Sequence, residues 1–107
     1  MERLCDEGDI PEQGGIAVAH AGRAILLVRA DGHIHAYDDL CPHMKLSLRW
    51  PPAPFVTADG RHIACANHNA YFRAADGMCV AGPCKGDRLT RRTIRIENGA
   101  VWLSAAE

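Results

Sequence analysis

Ala24-Ile25-Leu26-Leu27-Val28-Arg29-Ala30-Asp31-Gly32-His33-Ile34-His35-Ala36-Tyr37 reads as two strands joined by a two-residue turn. Asp-Gly between strand-like runs favours a hairpin, because both residues accept the positive φ angles that a type I′ turn requires. The pattern recurs along the chain. Segments 55–57 and 62–64 flank Asp59-Gly60, Tyr71-Phe72 and 78–80 flank Asp76-Gly77, and 93–97 and 101–104 flank Asn98-Gly99-Ala100. Upstream, 16–19 is one more apolar-rich segment. No window of about 11 residues keeps a helical period, and glycines and prolines interrupt every candidate. An all-β fold built of hairpins is therefore expected. Trp50-Pro51-Pro52-Ala53-Pro54 breaks the rhythm and reads as a stiff, extended loop.

A length of 107 residues fits one domain, taken as 1–107. The core should be modest, since many of the 48% hydrophobic residues are alanines, and a metal would add to its stability. A net charge of −1 gives no reason to expect nucleic acid or an anionic membrane as partner. The start is polar and acidic, without the apolar stretch of a secretory signal. The aliphatic run 24–28 is far short of the roughly 20 residues that span a bilayer. A soluble, cytoplasmic chain is expected, where disulfides are rare and close Cys and His point to metal or redox chemistry. Charge is uneven: residues 1–40 hold three basic and eight acidic side chains, and residues 41–107 hold nine and five. Lys85, Arg88, Arg91, Arg92 and Arg95 supply much of the excess, read as a solvated strand face with Ile94 and Ile96 turned inward. A docking patch for an acidic partner is the sharper reading.

Two Cys–His pairs stand out, Cys41-Pro42-His43 and Cys65-Ala66-Asn67-His68. Spacing alone is weak evidence, but each pair follows a strand, where hairpin tips can bring the two together. Pro42 restricts the backbone between the first two donors. Thiolate and neutral imidazole suit zinc or an iron–sulfur cluster, so a zinc site and a mixed-ligand [2Fe–2S] cluster both stand at this point.

The order Cys-x-His, spacer, Cys-x-x-His, then Asn69-Ala70-Tyr71-Phe72, resembles the Rieske-type [2Fe–2S] ferredoxins. The resemblance continues through Asp76-Gly77, Gly82-Pro83, which looks like the family's cluster-covering proline loop, Leu89 and the closing hairpin at Asn98-Gly99. It implies an antiparallel β-sandwich with a small cluster-binding subdomain, roughly 38–84, made of two hairpin-tip loops. Cys41 and Cys65 would hold one iron, and His43 and His68 the other. Pro42, Met44, Lys45, Asn67, Ala70, Phe72 and Pro83 would surround them. Two histidines in place of two cysteines raise the reduction potential relative to all-cysteine clusters.

Departures from the pattern refine this. Leu46 and Asn67 stand where membrane-bound respiratory members carry a disulfide pair, and Ala70 and Phe72 stand where they carry hydroxyl donors. Fewer donors to the sulfurs imply the low-potential part of the family's range. Lys45 and Asn69 replace common glycines, and the spacer containing 50–54 is long.

The resemblance implies a small soluble electron carrier with no substrate site of its own. It would pass single electrons from a flavin-dependent reductase to a terminal oxygenase of the aromatic-ring-hydroxylating kind, as a monomer or weak oligomer. The alternatives are the small Rieske subunit of a nitrite-reductase-like complex and a zinc-stabilised binding module. Cys79 and Cys84 are read as buried thiols, with a disulfide or a second metal site as the alternative. Cys5 reads as an exposed thiol, and His20, His33, His35 and His62 as ordinary strand or loop residues.

Overall fold

Ile25, Leu26, Leu27 and Val28 are all buried, although successive side chains of a strand point to opposite faces. Their strand is covered on both sides, which is why this run is continuously apolar rather than alternating. The computed structural model describes residues 2–20, 22–40, 55–65, 70–82, 84 and 86–104. In chain order its strands are β1 (Glu2–Asp6), β2 (Gly15–His20), β3 (Arg23–Ala30), β4 (His33–Asp38), β5 (His62–Cys65), β6 (Ala70–Arg73), β7 (Cys79–Ala81), β8 (Arg91–Arg92), β9 (Ile94–Glu97) and β10 (Ala100–Leu103). They form three antiparallel sheets, β1-β10-β9, β2-β3-β4-β8 and β5-β6-β7.

The middle sheet organises the core. Ile25 and Leu27 pack with Leu4, Cys5, Ile10, Ala36, Val101 and Leu103, on the side of the β1-β10-β9 sheet. Leu26 and Val28 pack instead with Tyr37, Phe55, Ile63, Cys65, Phe72, Cys79, Cys84 and Leu89, on the side of the β5-β6-β7 sheet. Both halves of the hydrophobic driving force therefore act on one strand.

All four expected turns form. Asp31 and Gly32 have φ of 54° and 76°, and Asn98 and Gly99 have 53° and 76°, the double positive signature of type I′ turns. Thr57 N–H donates to His62 O at 2.9 Å across the Asp59-Gly60 turn. The Asp76-Gly77 turn is locked by neighbours: Tyr37 donates its hydroxyl to Ala74 O at 2.7 Å, and Gly77 sits at φ 78° against the Tyr37 ring. A Cβ on Gly77 would lie 2.8 Å from Tyr37 Cε1, and that ring is wholly buried. Gly77→Ala is expected to cost about 2–4 kcal/mol, combining positive-φ strain with overpacking, as read by urea unfolding. Tyr37 also titrates informatively. Burial pushes its phenol up to about 12. Because the folded pKa lies above the unfolded one, stability is intact below about pH 10 and is lost as pH climbs towards 12. The loss is expected to reach about 2–3 kcal/mol in alkaline unfolding curves and to vanish in Tyr37→Phe.

Three expectations are corrected. Residues 2–6, read only as a polar start, form β1 against β10, and Cys5 is buried rather than exposed. A register shift between Arg3 and Cys5 turns both Leu4 and Cys5 inward, hiding the alternation that marks a strand. Ile94 packs against the core as expected, but Ile96 is 43% exposed on β9, an outer strand of its sheet. Cys79 and Cys84 are joined as a disulfide, Cα–Cα 5.9 Å, rather than standing as thiols.

Candidate metal centre

Strand alternation places the one proposed ligand among the described residues. Along β5, Ile63 and Cys65 point inward while His62 and Ala64 are partly exposed. Val56 bridges Ile63, and Ala64 N–H donates to Phe55 O at 2.8 Å, holding the strand on its outer side. On its inner side β5 pairs with β6, Ile63 opposite Phe72 and Cys65 opposite Ala70. That register sets Cys65 and Ala70 at the two ends of the connection that carries His68. Cys65 is 2% exposed and shares its buried cluster with Ala70 and Phe72, both fully buried. Tyr71, between them, faces outward.

The chain leading to the first pair is pinned to its last described residue. Asp38 N–H donates to Thr90 O, Asp39 N–H to Ala24 O and Leu40 N–H to Asp38 O, at 2.9–3.0 Å. Arg92 Nη1 donates to Asp38 Oδ1 at 2.9 Å, and this ion pair is mostly shielded from water. Arg92 thus leaves the solvated face expected for it and secures the end of β4, three residues before Cys41. Cys41, Pro42, His43, Met44, Lys45, Leu46, the 50–54 loop, Asn67, His68, Asn69, Pro83 and Lys85 lie outside the described residues.

The described part of the site fits an iron–sulfur group on its donor chemistry. A buried thiol in apolar surroundings is a poor exposed nucleophile but a suitable metal ligand once deprotonated by the metal. At the two inward positions after the loop stand a methyl and a phenyl group, so neither Ala70 nor Phe72 supplies a hydroxyl donor. The histidines outside the motif have other surroundings. His20 Nδ1 lies 3.0 Å from Glu2 Oε2, tying β2 to β1. Burial and the neighbouring Arg91 guanidinium, 3.3 Å away, push the His35 pKa down, and that cation disfavours a metal on the His33–His35 face. A polar cavity of about 650 Å³ lies at the far end of β5, lined among others by Arg29, Asp31, Arg61 and Arg73, and is separate from Cys65. The sequence offers a Cys79–Cys84 bridge only as an alternative to thiols; their separation of five, with Gly82-Pro83 between them, is the signal for it.

Comparison with known proteins converges on the same class. The family model described as Rieske [2Fe-2S] domain matches residues 1–96. The ferredoxin component of the naphthalene 1,2-dioxygenase/salicylate 5-hydroxylase systems of Ralstonia sp is 33% identical over 95 residues, covering 89% of this chain and 86% of that protein. The ferredoxin component of the alkene monooxygenase system of Xanthobacter autotrophicus is 33% identical over 81 residues, covering 74% and 60%. Among solved structures, a ferredoxin from Sphingomonas yanoikuyae B1 superposes with a TM-score of 0.76 at 27% identity, over 95% of each chain. The family match over residues 1–96 thus places this all-β fold in an iron–sulfur class. The chain belongs to the Rieske [2Fe–2S] domain family, and its cofactor is a Rieske-type [2Fe–2S] cluster.

Proposed function

We propose that this chain is the ferredoxin component of a multicomponent oxygenase, an electron carrier rather than a catalyst. The observation that carries this reading is its similarity, over nearly its whole length, to a ferredoxin component of a dioxygenase system. The cluster supplies a one-electron couple when bound. The thiolates of Cys41 and Cys65 hold one iron and the imidazoles of His43 and His68 the other, within a single domain of 1–107 whose cluster-binding part is roughly 38–84. Pro42, Met44, Lys45, Asn67, Ala70, Phe72 and Pro83 form the surroundings that set access and polarity. The electron comes from a flavin-dependent reductase and goes to a terminal oxygenase, of the aromatic-ring-hydroxylating kind, in the cytoplasm. No described helix is long and apolar enough to cross a membrane. Docking is brief, because repeated turnover needs a small interface that releases readily.

The test is reconstitution. With a reductase, a ring-hydroxylating oxygenase and NADH, product formation should depend on added chain and cease without it. Equal rates with and without the chain would remove the assignment. The apolar pair at 70 and 72 adds a second expectation: a midpoint potential below zero at pH 7, moved upward by Ala70→Ser, which places a hydroxyl donor at that position. A clearly positive midpoint in a redox titration of the unaltered protein contradicts it.

A further inference from the structure

The Cys79–Cys84 bridge closes a short covalent ring whose interior is Val80-Ala81-Gly82-Pro83. The chain folds back on itself around that ring. Cys79 N–H donates to Asp87 O at 2.9 Å, Asp87 N–H donates to Cys84 O at 2.8 Å, and Met78 bridges Arg88. Both half-cystines are buried, in the same apolar cluster as Cys65, Ala70 and Phe72, and Cys79 pairs with Phe72 across β6–β7. Ala81 and Gly82, by contrast, are exposed. The bridge therefore fastens an outward-facing loop to the buried wall that also holds Cys65.

We propose that Cys79 and Cys84 form a redox-sensitive modification site, in which the disulfide staples the 79–84 ring to that wall and protects the metal centre, and reduction to the dithiol releases it. The inference rests on the cluster assignment above. In a reducing compartment a disulfide is not retained by default, and those found there are mostly redox-sensing or catalytic. The reductant is a dithiol, of the thioredoxin class or dithiothreitol. One of its thiolates attacks Cys79 Sγ, the S–S bond breaks, and Cys84 leaves as a thiolate that takes a proton. The second thiol of the reductant then closes on the mixed disulfide, and Cys79 leaves and is protonated in turn. Two electrons and two protons enter the protein, and the reductant ends as its own disulfide. The opened pair is readily housed, since buried thiols behave as small neutral hydrophobes. Opening therefore loosens the ring without exposing charge in the core.

The holoprotein is equilibrated anaerobically across a series of reduced-to-oxidised dithiothreitol ratios and read in three ways. These are peptide-resolved alkylation of Cys79 and Cys84, the rate of trypsin cleavage after Lys85 and Arg88, and the decay of visible absorbance on exposure to air. The two thiols should appear together, with cleavage and decay each about tenfold faster in the reduced protein. The Cys79→Ala/Cys84→Ala variant should match the reduced protein and ignore dithiothreitol; if it does not fold, reduction of the unaltered chain decides. Thiols that never appear at any ratio, or a rate change below threefold once they do, overturn the proposal. A chain that holds no iron removes the cluster assignment instead, and the cleavage rate still judges the staple.

Discussion

Cys65→Ser is expected to fold and to lose essentially all of its iron and visible absorbance. The hydroxyl of serine stays protonated where the thiol of Cys65 ionises onto a metal, and it is a harder donor that suits iron–sulfur chemistry poorly. The position is 2% exposed, so the new hydroxyl also costs about 1–3 kcal/mol of stability through desolvation. Cys5→Ser separates the two effects. Cys5 is also buried, but it lies in the other half of the core, with Ile25, Leu27 and Val101. It should show a stability loss of similar size and unchanged iron content, measured by chelator assay and urea unfolding on the same preparations. Iron retained in Cys65→Ser, or lost in Cys5→Ser, contradicts the ligand assignment.

The second large effect is Phe72→Ala, expected to destabilise the chain by about 3–5 kcal/mol in chemical denaturation. Phe72 is wholly buried, stands opposite Ile63 on β5 and Cys79 on β7, and fills the space between β3 and the sheet that presents Cys65. Removing the ring leaves a cavity next to both Cys65, the proposed ligand, and the disulfide, so faster cluster loss should accompany the fall in stability. Tyr71→Ala is the control. It stands one residue away on the outer face and should change stability by no more than about 0.5 kcal/mol. Equal costs at 71 and 72 would mean that the inward face of β6 is wrongly assigned.

The hairpins were legible in the sequence because Asp-Gly and Asn-Gly carry local backbone chemistry that no tertiary contact needs to override. The layering was not. Nothing in the run 25–28 says that its two faces meet different sheets, although its unbroken apolarity is the trace that double burial leaves. β1 escaped because a bulge turns Leu4 and Cys5 inward together, and because its partner β10 lies almost a full chain length away. Pairing over such a separation leaves no local signature in composition. Ile96 escaped for a related reason: alternation says which face a side chain takes, not whether its strand is central or outer. At the site, the motif singles out Cys65 as the proposed ligand, and strand alternation along β5 explains its burial. Arg92 as the partner of Asp38 and the Cys79–Cys84 bridge both depend on elements that meet only in three dimensions.

The proposed ligand set, two thiolates and two imidazoles of this chain on one [2Fe–2S] cluster, is decided by iron and acid-labile sulfide analysis of the purified protein, together with the paramagnetic resonance spectrum of its dithionite-reduced form. About two irons and two sulfides per chain, with a reduced-state signal showing coupling to imidazole nitrogens, is the predicted result. Stoichiometric zinc without labile sulfide, or a cluster signal without nitrogen coupling, would contradict it.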